Sequence, residues 1–88
     1  MGKWKGIMKA GFLEIPVNVI YTRSSDGVSE WHGNGETDKY WPMNQPRLET
    51  NIGTVMIVKD AIRLNGKHYI EFKGSGNAKG PLAECMDN

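Results

Sequence analysis

A single cysteine, Cys85, leaves this 88-residue sequence with no means of forming an internal disulfide. A disulfide-stapled secreted scaffold is thereby excluded, and a reducing, cytoplasmic setting is the simplest expectation. No apolar run approaches the roughly 20 residues needed to span a bilayer, so no membrane partner is expected. The opening MGKWKGIMKAGFLEIPVNVI is basic, as a secretory signal would be, but Lys9 and Glu14 interrupt any apolar stretch and no small-residue cleavage site follows. Gly6 likewise does not suit N-myristoylation, which wants Ser or Thr at that position. Excess charge is also scarce, since a net charge of +1 lacks the basic footprint of a dedicated nucleic-acid binder. The charges are unevenly spread, however. Up to Arg23 the chain is basic, and from Ser24 to Asp60 it is acidic, an asymmetry that can be complemented within one chain or across a dimer.

The length allows one domain, 1–88, and a domain this small buries only about 60–65% of the surface its unfolded chain exposes. Association with a partner is therefore a natural supplement to its stability. Along that domain, Trp4, Ile7, Met8 and Phe12 recur at helical spacing, but Gly6 and Gly11 weaken a helix, so 1–11 reads as an irregular or short helical lead-in. From Phe12 to Thr22 the period becomes two, with Leu13, Ile15, Val17, Val19 and Tyr21 on one face of a half-buried strand. Pro16 places that point of the strand at an edge or a bulge. RSSDG reads as a turn and VSEWHGNGE as the returning strand.

The segment 36–51 holds Pro42 and Pro46 and reads as a long loop, a feature that in compact domains is uncommon and often functional. In GTVMIVKDAIRL the run Val55 to Val58 predicts burial on both faces or a central position. Asn65–Gly66 predicts a hairpin with a type I′ turn. KHYIEFK then returns with His68, Ile70 and Phe72 on one face and Tyr69 and Glu71 on the other. The tail 78–88 either frays or adds a last short strand. The expected fold is all-β, with room for one short helix: a small antiparallel β-roll or barrel of five to six strands built from two hairpins.

One pattern occurs twice. EWHGNGE (30–36) returns as EFKGSGN (71–77), each reading Glu, aromatic, basic, Gly, small polar, Gly, polar. Glycines of this kind can cradle an anion, but neither copy opens a helix, as the dinucleotide and P-loop fingerprints require. A bulge or sharp bend in a curling strand is the expectation instead.

No catalytic constellation stands out. Glu30 and Glu71 would form a carboxylate pair only if a pseudo-twofold brought them together, and no serine or cysteine has a histidine beside it. His32, His68 and Cys85 lack the spacing of a zinc site, so neither a metal nor a cofactor is expected. Aromatics are the better lead. Trp31 and Phe72 are expected to fill the core, while Tyr40 and Trp41 lie in the long loop. The candidate ligand- or partner-binding residues are Trp31, His32, Tyr40, Trp41, Met43, Arg47 and Lys73. A non-catalytic binding module is favoured over an enzyme. It is expected to self-associate, a dimer being the preferred form, through the 37–47 loop and exposed strand edges. A small-barrel nucleic-acid binder, and a ligand or enzyme site at the barrel mouth, are the alternatives.

Overall fold

A computed structural model describes residues 2–23, 29–38 and 46–86. Among these the chain forms six strands and one short helix: β1 (Gly2–Ala10), β2 (Leu13–Arg23), β3 (Ser29–Thr37), β4 (Arg47–Thr50), β5 (Gly53–Ile62), β6 (His68–Ser75) and α1 (Gly80–Met86). All pairings are antiparallel, in the order β1-β2-β3-β6-β5-β4. The sheet curls into a half-barrel around Met8, Ile15, Val17, Val19, Val55, Ile70 and Phe72. The all-β roll expected from the sequence is thus the fold.

The alternation in β2 follows directly from its sequence, with Leu13, Ile15, Val17 and Val19 buried and Glu14, Pro16 and Asn18 exposed. Pro16 falls one residue beyond Val17↔Gly35, where the β2–β3 ladder stops, so β2 has a ladder partner there on one side only. In β6 the two faces are as expected: Ile70 and Phe72 are buried, His68 is half-buried on their side, and Tyr69 donates to Glu71 Oε1 across 3.1 Å on the other.

Several expectations need correction. Residues 2–10 are a strand and not a helical lead-in: Met8 and Ala10 face the core, whereas Lys3, Lys5, Ile7 and Lys9 face outward. The helical spacing was a coincidence, because Gly6, an inward position in the period-two pattern, has no side chain to reveal it. A Cβ at Gly6 would run into the Trp4 ring. The span read as a long loop contains the end of β3 and all of β4, and residues 39–45 within it lie outside the described residues, as does most of RSSDG. The apolar run Val55–Val58 is not buried on both faces. A register shift between Ile57 and Lys59 leaves Val58 out of the ladder and 62% exposed.

The β5–β6 hairpin sits where Asn65–Gly66 places it, but Asn65 keeps a negative φ and only Gly66, at +83°, is left-handed. Arg63 N–H donates to Lys67 O at 2.8 Å, and Lys67 N–H to Asn65 Oδ1 at 3.0 Å. The loop therefore has three residues, closed by an Asx contact in place of a type I′ turn. The tail forms α1, opening on Gly80-Pro81, with Pro81 in the first turn where its missing N–H costs nothing. Leu82 plugs the interior with no exposed surface.

The two outermost strands, β1 and β4, come close to each other, and the turn after β4 is hydrogen-bonded to β1. Asn51, in the β4–β5 turn, donates its main-chain N–H to Lys9 O (3.0 Å), accepts Lys9 N–H on Oδ1 (2.6 Å) and donates Nδ2 to Ile7 O (3.2 Å). Its neighbour Ile52 is fully buried. One side chain therefore does for the edge of β1 what a strand partner would do. Asn51→Ala removes two of these three bonds and is expected to destabilise the fold by about 1–2 kcal/mol in urea unfolding. Faster hydrogen exchange at the Lys9 amide should accompany the loss, and unchanged stability and exchange would show that the clasp is dispensable.

Candidate binding face

The repeated heptads are neighbours in the sheet. β3 and β6 pair through His32↔Lys73, Gly33↔Phe72 and Asn34↔Glu71. Continuing that register by one step sets Trp31 opposite Gly74. Each copy therefore places its aromatic ring against the first glycine of the other. A Cβ on Gly33 would lie 2.9 Å from Phe72 Cζ, and a Cβ on Gly74 would fall within the Trp31 indole. Trp31 is 3% exposed and donates Nε1–H to Gly76 O at 3.2 Å; Phe72 is 1% exposed. The ladder runs without interruption through Gly33 and Gly35, so neither is a bulge. Only Gly76, at φ +85° just past β6, is a backbone turn in the strict sense. The glycines thus make room for rings. The same local twofold sets Glu30 and Glu71 four residue steps apart along the strands, about 13 Å, which is too far for a carboxylate pair to share a reacting atom.

With both rings turned inward, polar side chains occupy the outer face. His32 and Lys73, the basic members of the two heptads, are exposed cross-strand partners at its centre. Asn18, Ile20, Asn34, Val58 and Glu71 surround them and line a groove of about 490 Å³. A second hollow of about 580 Å³, reaching Glu30, Gly74 and Asn77, shares His32 and Lys73 with the first.

The register extends this pair into a row. Lys3 pairs with Ile20, Ile20 with His32, His32 with Lys73, Lys73 with Met56, and Met56 with Arg47. One rung of outward positions thus crosses all six strands, a path of about 24 Å around the curled sheet at the usual strand spacing. Lys3, His32, Lys73 and Arg47 are its polar members, and none forms an ion pair with a described residue.

Of the residues predicted from the sequence, His32, Lys73 and Arg47 share this row, whereas Trp31 lies beneath it in the core. Tyr40, Trp41 and Met43 lie outside the described residues. Lys3, Asn18, Ile20, Asn34, Met56 and Val58 were missed. Reading 2–10 as a strand would have supplied Lys3; the others depend on pairings between distant segments.

Elsewhere on the sheet, Arg63 Nε lies 3.1 Å from Glu36 Oε1, and its guanidinium covers the Tyr69 ring at 4.1 Å from the centroid. At the Thr37 end, His68 Nε2 and Asp60 Oδ1 are 3.9 Å apart, each buried without a hydrogen-bond partner. No group of three or more His, Cys, Asp or Glu among the described residues is placed to hold a metal. The chain matches no protein-family model, and neither a curated protein nor a solved structure shows significant similarity to it.

Desolvation, and then the hydrogen bond and charge of Glu71, hold the Tyr69 phenol above its ordinary value of 10.0. A group raised by folding contributes stability below its unfolded value and loses it as pH rises through the folded one. Glu71→Gln is therefore expected to lower the pH at which Tyr69 ionises, followed by tyrosinate absorbance against a Tyr69→Phe control. An unchanged titration would mean that the Glu71 contact does not form.

Proposed function

We propose that this chain is a non-catalytic binding module whose working surface is the outer sheet face centred on His32 and Lys73. The observation that carries the reading is the cross-strand row, in which three candidates chosen from the sequence, His32, Lys73 and Arg47, fall on one rung of the outer surface from three separate strands. A surface groove also suits so small a domain, whose interior is filled by its own side chains. His32 and Lys73 supply donors, Asn18 and Asn34 supply amides, and Ile20 and Val58 supply apolar contact.

A second reading, self-association, draws support from a different place. Ile62 (64% exposed) lies level with the Thr37 end of β3, and Phe12 (85%) and Leu64 (109%) lie beyond it. Exposed apolar groups of this size are what a second copy would cover. Edge-to-edge pairing is less well served. The free edge of β1 carries Lys3, Lys5 and Lys9, the residue type that discourages strand addition, and Asn51 occupies the main chain at Ile7 and Lys9.

An amide-resolved NMR titration with nucleotides, oligosaccharides and acidic peptides tests the first reading. Perturbations are expected to cluster at 18–20, 32–34 and 71–73, and binders that shift only other regions would refute it. For the second, light scattering should show a dimer that Leu64→Asp dissolves. A strict monomer at millimolar concentration would rule it out.

A further inference from the structure

Resting on the reading of the outer face as a binding surface, we infer that its partner is a single-stranded nucleic acid, held by its phosphate backbone along the row Lys3–Ile20–His32–Lys73–Met56–Arg47. Counted as a path around the curled sheet at about 4.8 Å per strand, the polar groups Lys3, His32, Lys73 and Arg47 fall at roughly 0, 10, 14 and 24 Å. This is a line of donors crossing the strands, suited to a flexible partner with a charge on every repeat.

The row is not buffered internally, because none of the four is in an ion pair with a described residue. On one side the next outward rung is polar and acidic, with Thr22, Glu30, Ser75, Thr54 and Glu49 in register. On the other side come Lys5, Asn18 and Asn34, followed by Glu71, whose carboxylate accepts from Tyr69. Repulsion from Glu30 and Glu49 therefore pushes a polyanion toward Lys5, where the two asparagine amides can donate to phosphate oxygens or sugar hydroxyls.

The described residues of this face also bear on the kind of nucleic-acid contact it makes. Trp4, Trp31, Tyr21 and Phe72 all pack on the core side, and none of them joins the row. Among the described residues the remaining tyrosine, Tyr69, is covered by Arg63 and lies four residues along β6 from Lys73, so no described ring offers the row a base-stacking platform, and binding there is expected to be weak, salt-sensitive and indifferent to base sequence. An extended peptide adding to the sheet would use main-chain hydrogen bonds, and those of the central strands are consumed in their ladders. A flat membrane would meet a curled sheet along one line, and the most exposed apolar residues, Phe12 and Leu64, are at the strand ends and not beside the row.

The test uses the full chain and 20-nucleotide single-stranded RNA and DNA of mixed sequence, read by fluorescence anisotropy at 20 to 200 mM salt. Binding is expected, with little dependence on base sequence and a log–log salt slope of about −2 to −3, as roughly three to four phosphate contacts on a single strand give. Lys73→Glu and Arg47→Glu should each weaken it at least tenfold. Lys67→Glu makes the same change of net charge in the β5–β6 loop, away from the row, and should leave affinity within about twofold. The inference is overturned if neither oligonucleotide binds at 20 mM salt, or if Lys67→Glu weakens binding as much as Lys73→Glu. Polyglutamate binding as tightly as the oligonucleotides would overturn it as well. An acidic peptide or sugar that perturbs the amides at 32–34 and 71–73 while the oligonucleotides do not would remove the nucleic acid as partner and leave the face standing as a binding surface.

Discussion

Two rings and two glycines hold this half-barrel in its shape. Trp31 covers Gly74 and Phe72 covers Gly33, across one pair of strands and about one local twofold. Cross-strand aromatic–glycine pairs stabilise a sheet because the ring shields backbone that glycine would leave bare, and because the missing Cβ lets the strands coil tightly. Here the arrangement settles the inner face of both central strands at once. Since successive side chains alternate, it also settles the outer face: with Trp31 and Phe72 inside, His32 and Lys73 must stand together outside. The proposed binding surface is in that sense a by-product of the core.

The remaining elements complete what this pair begins. The bulge at Val58 lets β5 follow the coiled β6 while exposing an apolar side chain at the rim of the groove. The β4–β5 turn drives Ile52 into the interior and uses Asn51 to join the first strand to the last. The tail is tied to that turn by Lys79 N–H donating to Ile52 O at 2.9 Å, which aligns α1 so that Leu82 fills the space left. Tyr21 and Cys85, 3.4 Å apart, fasten the helix to β2.

Where the sequence carried one clear period, it was a sufficient guide. β2 and β6 alternate in hydrophobicity, and their faces came out as read. β1 misled because Gly6 stands at an inward position and cannot signal burial, which left Trp4, Ile7 and Met8 to imitate a helix. The asparagine in Asn65–Gly66 marked a hairpin correctly but not its turn, since its side chain caps Lys67 N–H while its own φ stays negative. Gly80-Pro81 was a helix start in plain view, in a segment too short for hydrophobic periodicity to register. The cross-strand row was the least legible feature. Its members come from six segments, and only the pairing of β3 with β6, set by the reciprocal ring and glycine contacts, brings His32 beside Lys73. The twin heptads announced a relation between two places but not that the two places touch.

A double-mutant cycle on Trp31→Leu and Gly74→Ala tests this dependence most directly, read as unfolding free energy in urea. In the native background Gly74→Ala should cost roughly 1–3 kcal/mol, because the new methyl group overlaps the indole. With Leu at 31 the space is vacated, and the cost should fall to give a coupling of about 1 kcal/mol or more, as expected of residues in direct contact. Additive effects within about 0.3–0.5 kcal/mol, the range seen for independent sites, would contradict the claim that ring and glycine form one unit.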